Sequence, residues 1–227
     1  MSDRSELEKR LGYRFQNRAL LRQALTHPSM GKQDNQRLEF LGDAVLQYLM
    51  SDQLYRNYPM EREGALTHQR ALLVCEAALS QVAGNLGVGE ALIMDRGEEQ
   101  TGGREKPSVL CDAMEAILAA VYLDGGMDPA KKFIDRFILS DLEHKQLFYD
   151  SKSTLQELTQ GAMKKDIRYV LLEEKGPEHN KTFVVEVIME DKSLGRGLGR
   201  TKKAAEQQAA YEALLFLKEQ GYVFKKH

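Results

Sequence analysis

The sequence predicts two domains of different class, an all-α domain over residues 1–147 and a small α+β domain of order α-β-β-β-α over residues 148–227. Three observations predict this. Apolar residues recur at spacings of three and four through residues 5–145, and no segment there alternates as a strand does. Beyond Lys145–Ser151 the pattern changes to short runs rich in Val, Ile, Tyr and Phe, set between two helical stretches. The charge changes as well: residues 151–227 hold 14 Lys and Arg against 11 Asp and Glu, and residues 1–150 hold 18 against 23. A mildly basic module therefore follows an acidic one.

In the first domain the apolar series Leu38, Leu41, Val45, Leu49, then Leu72, Leu79, Val82, then Leu110, Met114, Ile117, Val121 mark successive helices. Breaks fall at His27-Pro28, Tyr58-Pro59, Gly87-Val88-Gly89, Thr101-Gly102-Gly103 and Asp124-Gly125-Gly126. In the second, a short helix is expected from Ser153 to near Gly161, and strands over Ile167–Glu173 and Lys181–Glu190. A third strand is expected over Ser193–Gly199, weakened by its three glycines, before a strong helix over Thr201–Gln220.

Several classes are disfavoured. The N-terminus has no basic stretch followed by an apolar one, so no signal peptide is visible. No apolar run is long enough to span a bilayer. Cys75 and Cys111 sit in apolar helical patterns and read as buried thiols of a reducing cytoplasm. Five histidines and two cysteines show no zinc-ligand spacing. No glycine-rich nucleotide loop occurs, so no nucleotide cofactor is implied.

Two acid pairs stand out. At about 100° per residue, Leu38, Leu41, Gly42, Val45, Leu46 and Leu49 form one core stripe. Glu39 and Asp43 lie together on its border, as like charges one turn apart. From Pro107 to Leu123 the only charged residues are Asp112 and Glu115, on one face beside the small Ala116 and Ala119. A helix that is apolar all round is a buried one, and carboxylates in it are costly unless hydrogen-bonded, protonated or bound to a cation. If the two faces meet, four carboxylates converge, and all-oxygen ligation suits Mg2+ or Mn2+. Spacing alone leaves open that Asp112 and Glu115 pair with buried arginines or cap neighbouring helices. Phe40, on the face opposite the core stripe, is either an exposed singleton or an interface anchor.

The block Arg37-Leu38-Glu39-Phe40-Leu41-Gly42-Asp43 resembles the signature of the ribonuclease III family. Ser108-Val109-Leu110-Cys111-Asp112-Ala113-Met114-Glu115-Ala116 resembles the family's second acidic helix, and Leu25-Thr26-His27-Pro28-Ser29 also fits. The resemblance runs from about Leu7 to Leu217. It implies an all-α endonuclease domain in which Glu39, Asp112 and Glu115 hold a divalent ion, Mg2+ with Mn2+ able to substitute. Asp43 and Glu115 would engage most directly in catalysis by orienting the attacking water. The implied reaction is hydrolysis of double-stranded RNA to 5′-phosphate and 3′-hydroxyl ends with staggered cuts. It is carried out in the cytoplasm by a homodimer, on ribosomal RNA precursors and other transcripts, messenger and transfer RNA among them. The resemblance assigns Phe40 to the dimer interface and Glu63 to the RNA-binding valley. The family usually has an acid where this chain has Gln36; on the helical wheel Gln36 sits near Asp43 but outside the four central acids, as an auxiliary position.

The second domain resembles the double-stranded-RNA-binding domain. Independently, Lys202 and Lys203 after Arg200 sit at a helix start, where the partial positive charge favours acids, unless an anion is the ligand. The alternative on charge alone is a solvated first turn. A-form RNA is read mostly by shape, across two minor grooves and the phosphates between them. The resemblance places Ser153, Gln156, Glu157 and Gln160 at one minor groove, His179 at the next, and Thr201, Lys202 and Lys203 at the phosphates. Two other functions compete, a duplex-binding protein that does not cut and a metal-dependent phosphohydrolase of small molecules. Four retained acids weigh against the first, and the basic tail weighs against the second.

Overall fold

The computed structural model describes residues 2–140, 147–148, 150–176 and 181–222. The chain divides into two compact units, residues 1–140 and 141–227.

The first unit is helical. It comprises α1 (Ser2–Leu11), α2 (Arg18–Ala24), a 3-10 turn (Pro28–Met30), α3 (Gln36–Asn57), α4 (Glu63–Leu73), α5 (Glu76–Asn85), α6 (Val88–Ala91), α7 (Arg96–Gln100), a second 3-10 turn (Gly103–Glu105), α8 (Pro107–Gly125) and α9 (Met127–Phe137). The one strand-like contact among its described residues is an isolated parallel bridge, Thr26 to Ile93. It links the segment before α3 to the segment after α6, with His27 N–H donating to Ile93 C=O and Ile93 N–H to Leu25 C=O.

The central helix is α8. Pro107 fills its first turn, where a missing N–H costs nothing. Gly126, at φ 85°, ends it in a backbone conformation that suits glycine. Val109, Leu110, Ala113, Met114 and every residue from Ala116 to Val121 are buried, with α2, α3, α5 and α9 packed around them. Beyond this run, Asp124 ties the far end of α8 to the α1–α2 loop. Its carboxylate accepts Tyr13 OH at 2.9 Å, Gln16 N–H at 2.9 Å and Asn17 N–H at 2.7 Å.

Cys75 and Cys111 are free but only half-buried, a correction to the fully buried reading. Cys75 sits just before α5 instead of within a helix, and its thiol donates to Leu72 C=O at 3.3 Å. Burial and the nearby carboxylates push the Cys111 thiol up to about 12.

The second unit comprises α10 (Ser151–Glu157), a π-helical turn (Leu158–Met163), β1 (Ile167–Lys175), β2 (Thr182–Met189), β3 (Lys192–Gly199) and α11 (Lys202–Glu219). The strands form an antiparallel sheet in the order β1-β2-β3. Glu190 and Asp191, both with positive φ, make the two-residue turn between β2 and β3. Val185, Val187 and Leu194 point inward and meet Leu155, Leu158 and the Ala205, Ala209, Ala213 and Leu214 face of α11; Leu147 packs against the same core.

The first helix begins at Ser151, two residues earlier than the sequence suggests, because the buried Ser151 Oγ donates to Gln207 C=O on α11 at 3.0 Å. The glycines of β3 are not a weakness. A methyl at Gly195 or Gly197 would lie within 2.6 Å of α11 backbone, so their bare backbones let the helix lie close on the strand.

Candidate active site

The acid pairs come together because α3 and α8 cross in contact. A β-carbon on Gly42 would lie 1.9 Å from the Glu115 backbone oxygen. At that crossing, carboxylate oxygens of Glu39, Asp112 and Glu115 lie within 4.8 Å of one another. Asp43 stands one helical turn beyond Glu39 and is exposed, whereas the other three are half-buried.

The electrostatics match this crowding. Burial first, and then the charges of Asp43, Asp112 and Glu39, push Glu115 up to about 7. Burial and the charges of Asp112, Asp34 and Asp43 raise Glu39 above the ordinary carboxylate range. Burial and the Glu76 charge raise Asp112, opposed by His27. Carboxyls that resist ionising in each other's company accommodate a cation between them. Three oxygen donors at this separation fit a hard divalent ion, which takes a few carboxylates and keeps waters.

Near the site, Gln36 opens α3 as an exposed residue, its N–H donating to Asp34 Oδ1 at 3.1 Å. Glu63 opens α4 and accepts Thr67 Oγ1 at 2.9 Å. A groove of about 800 Å3 runs between the second half of α3 and the start of α4, lined by Tyr48, Tyr55, Tyr58, Leu66, Glu63 and Arg70 among others. Phe40 is 80% exposed and Tyr55 74%, and with Tyr48 they share one face of α3. Sequence reasoning passed over Gln47, whose side-chain amide donates to Asp43 Oδ1 at 3.2 Å. Its spacing of four from Asp43 was the available signal.

In the second unit, Ser153, Gln156, Glu157 and Gln160 are all exposed, while Thr154, Leu155, Leu158 and Thr159 between them are buried. The four polar side chains therefore share the solvent side of α10 and its π-helical extension. Thr201 caps α11, its hydroxyl accepting Ala204 N–H at 3.1 Å. Lys202 and Lys203 follow as exposed residues of the first turn. The ties between Ser151 and Gln207, and between Lys152 and Glu206, fix α10 against α11. His179 lies outside the described residues.

A helical domain with a carboxylate cluster at a helix crossing, followed by an α-β-β-β-α domain, defines a two-part protein with three acids placed to hold a divalent cation. The comparisons give the family. The Ribonuclease-III-like family matches residues 17–142, and the double-stranded RNA binding motif matches residues 151–217. Ribonuclease 3 of Desulforamulus reducens is 45% identical over 96% of this chain and 92% of its own length. Ribonuclease 3 of Oceanobacillus iheyensis is 47% identical over 92% of this chain and 95% of its own. Among solved structures, the nuclease domain of the Campylobacter jejuni ribonuclease III is 41% identical with a TM-score of 0.60, covering 62% of this chain and 97% of that one. A second structure of that domain concerns flexibility in a region involved in its dimer formation; it is 42% identical, with a TM-score of 0.58, over 60% of this chain and 95% of its own. The chain belongs to the ribonuclease III family.

Proposed function

We propose that this chain is a divalent-metal-dependent endoribonuclease that hydrolyses double-stranded RNA. The observation that carries the reading is the meeting of Glu39, Asp112 and Glu115 at one helix crossing, in a chain that also bears a double-stranded RNA binding motif. The first unit, residues 1–140, is the catalytic part and the second, residues 141–227, the RNA-binding part.

Glu39, Asp112 and Glu115 hold the ion, Mg2+ with Mn2+ able to substitute. When bound, the ion supplies charge neutralisation at the scissile phosphate and eases deprotonation of water. Asp43 and Glu115 orient the attacking water toward phosphorus. The phosphorus to 3′-oxygen bond breaks, leaving 5′-phosphate and 3′-hydroxyl ends. Gln36, exposed at the start of α3, and Glu63, exposed at the start of α4, adjust how the duplex lies.

The exposed side chains of Ser153, Gln156, Glu157 and Gln160 meet one minor groove, and His179 the next. Thr201, Lys202 and Lys203 hold the phosphates between. Uncharged polar groups suit 2′-hydroxyls, which both donate and accept. If phosphates dominate, Lys202→Ala with Lys203→Ala weakens binding to unrelated duplexes alike. The slope of log affinity against log salt becomes shallower by about 1 to 2. Titration of labelled duplexes at several salt concentrations measures it, and an unchanged slope removes the two lysines from the interface.

The active form is a homodimer, one subunit cutting each strand to give a staggered break. Phe40 and the tyrosine-lined groove on the same face of α3 form the apolar surface a second copy covers. Phe40→Asp is expected to yield monomer in sedimentation at concentrations where the parent chain is dimeric. Two free cysteines suit a reducing cytoplasm as its place of work. Ribosomal RNA precursors and other transcripts, messenger and transfer RNA included, are the substrates in that compartment.

The direct test is cleavage of an end-labelled perfect duplex with Mg2+, with Mn2+ and with chelator. Staggered cuts with either ion and none with chelator are expected. Tight duplex binding without cutting under every divalent ion would turn the reading to a binding protein.

A further inference from the structure

We propose that Gln47 is a positioning residue, its side-chain amide holding the Asp43 carboxylate in the orientation the cleavage step uses. The proposal rests on the role given above to Asp43. Asp43 stands outside the three-carboxylate group and is exposed on α3. An aspartate so placed would exchange rotamers unless something held it. Gln47 Nε2 donates to Asp43 Oδ1 at 3.2 Å, and Oδ2 carries no hydrogen bond among the described residues. The amide is the right kind of holder. It fixes one oxygen without cancelling the charge, and leaves the other oxygen available to water.

Gln47 is itself anchored. It is half-buried, and its backbone carbonyl accepts Ser51 Oγ at 2.6 Å. Ser51 Oγ in turn accepts Arg70 Nη1 at 2.6 Å, from α4. The turn of helix that presents the amide is thus tied to a second helix. A glutamine–aspartate pair at this spacing adds only about 0.2–0.5 kcal/mol to a helix, so stability does not account for it. Orientation can, because small misplacements of a reacting group cost rate steeply.

The test uses the full chain with Gln47→Leu, Gln47→Glu, Asp43→Asn and the double variant Asp43→Asn/Gln47→Leu. Four quantities are measured: kcat and KM on duplex RNA, melting temperature, and Mn2+ binding by calorimetry without RNA. Gln47→Leu is expected to lower kcat by about threefold to tenfold. KM, melting temperature and Mn2+ affinity should stay at parent values. Gln47→Glu, which cannot donate and sets a like charge beside Asp43, should lower kcat further. The double variant should be no slower than Asp43→Asn alone. Parent kcat in Gln47→Leu beside a crippled Asp43→Asn overturns the proposal while leaving Asp43 its role. A fall in melting temperature matching the fall in rate also overturns it, by making Gln47 structural. Full activity in Asp43→Asn overturns the reading of Asp43 itself, and with it the role given to Gln47.

Discussion

The Glu115→Gln variant binds duplex RNA as tightly as the parent chain and fails to cut it, with a loss of rate on the order of a thousandfold or more. Glutamine keeps the shape and size of the side chain, so the α3–α8 crossing survives. It removes one of three converging ligands and the group whose ionisation is most perturbed in the site. The same change alters stability in a direction that can be worked out. Burial and the charges of Asp43, Asp112 and Glu39 raise Glu115 from 4.5 to about 7 in the folded chain. A carboxyl raised in this way contributes stability that is fully present below the unfolded value, and that is lost as pH rises through the folded one. The metal-free parent should therefore weaken between about pH 4.5 and 7. The loss is on the order of 2 kcal/mol once solvent screening of a half-exposed group is allowed for. The variant lacks this loss. Melting curves with chelator should show Glu115→Gln gaining on the parent as pH rises to 8, and Mg2+ restoring the parent alone. A variant that still cuts, or that melts in parallel with the parent at every pH, would remove Glu115 from the centre of the site.

The parts of this picture legible in the sequence are those set by local periodicity. Spacing three and four apart put Glu39 with Asp43 and Asp112 with Glu115 on single helix faces, and an α8 apolar all round had to be buried. The change to strands past Ser151 followed from β-branched and aromatic runs bounded by turn residues. Distances were not legible, since a face says nothing of what lies opposite it. Only the close passage of Gly42 over the Glu115 backbone turns two faces into one site. The start of α10 was misplaced because a contact 56 residues away, Ser151 to Gln207, decides it. The glycines of β3 read as strand-weakening from local propensity, yet their role is tertiary, against the backbone of α11. Gln47 had a legible spacing from Asp43, but a polar residue at the border of an amphipathic helix is too ordinary to single out.

Gly42→Ala should damage the site more broadly than loss of one acid, although no charge is touched. Gly42 is buried on α3, and the added methyl would sit 1.9 Å from the Glu115 carbonyl oxygen and 2.4 Å from its carbonyl carbon. Neither atom belongs to a side chain that can swing away. They are backbone of the central helix, whose next six residues are all buried. The helices must separate, and overpacking of a close-packed contact costs about 1–3 kcal/mol or more. The gain in helix propensity from glycine to alanine returns only about 1 kcal/mol. Separation also spreads Glu39 away from Asp112 and Glu115, which belong to the other helix. Duplex cleavage should fall with the melting temperature, and Mn2+ affinity measured without RNA should fall as well. This sets the variant apart from Gln47→Leu, where rate alone should change. Parent-like Mn2+ affinity and stability in Gly42→Ala would mean that the crossing is loose enough to admit a methyl, and the convergence of the three carboxylates would need another cause.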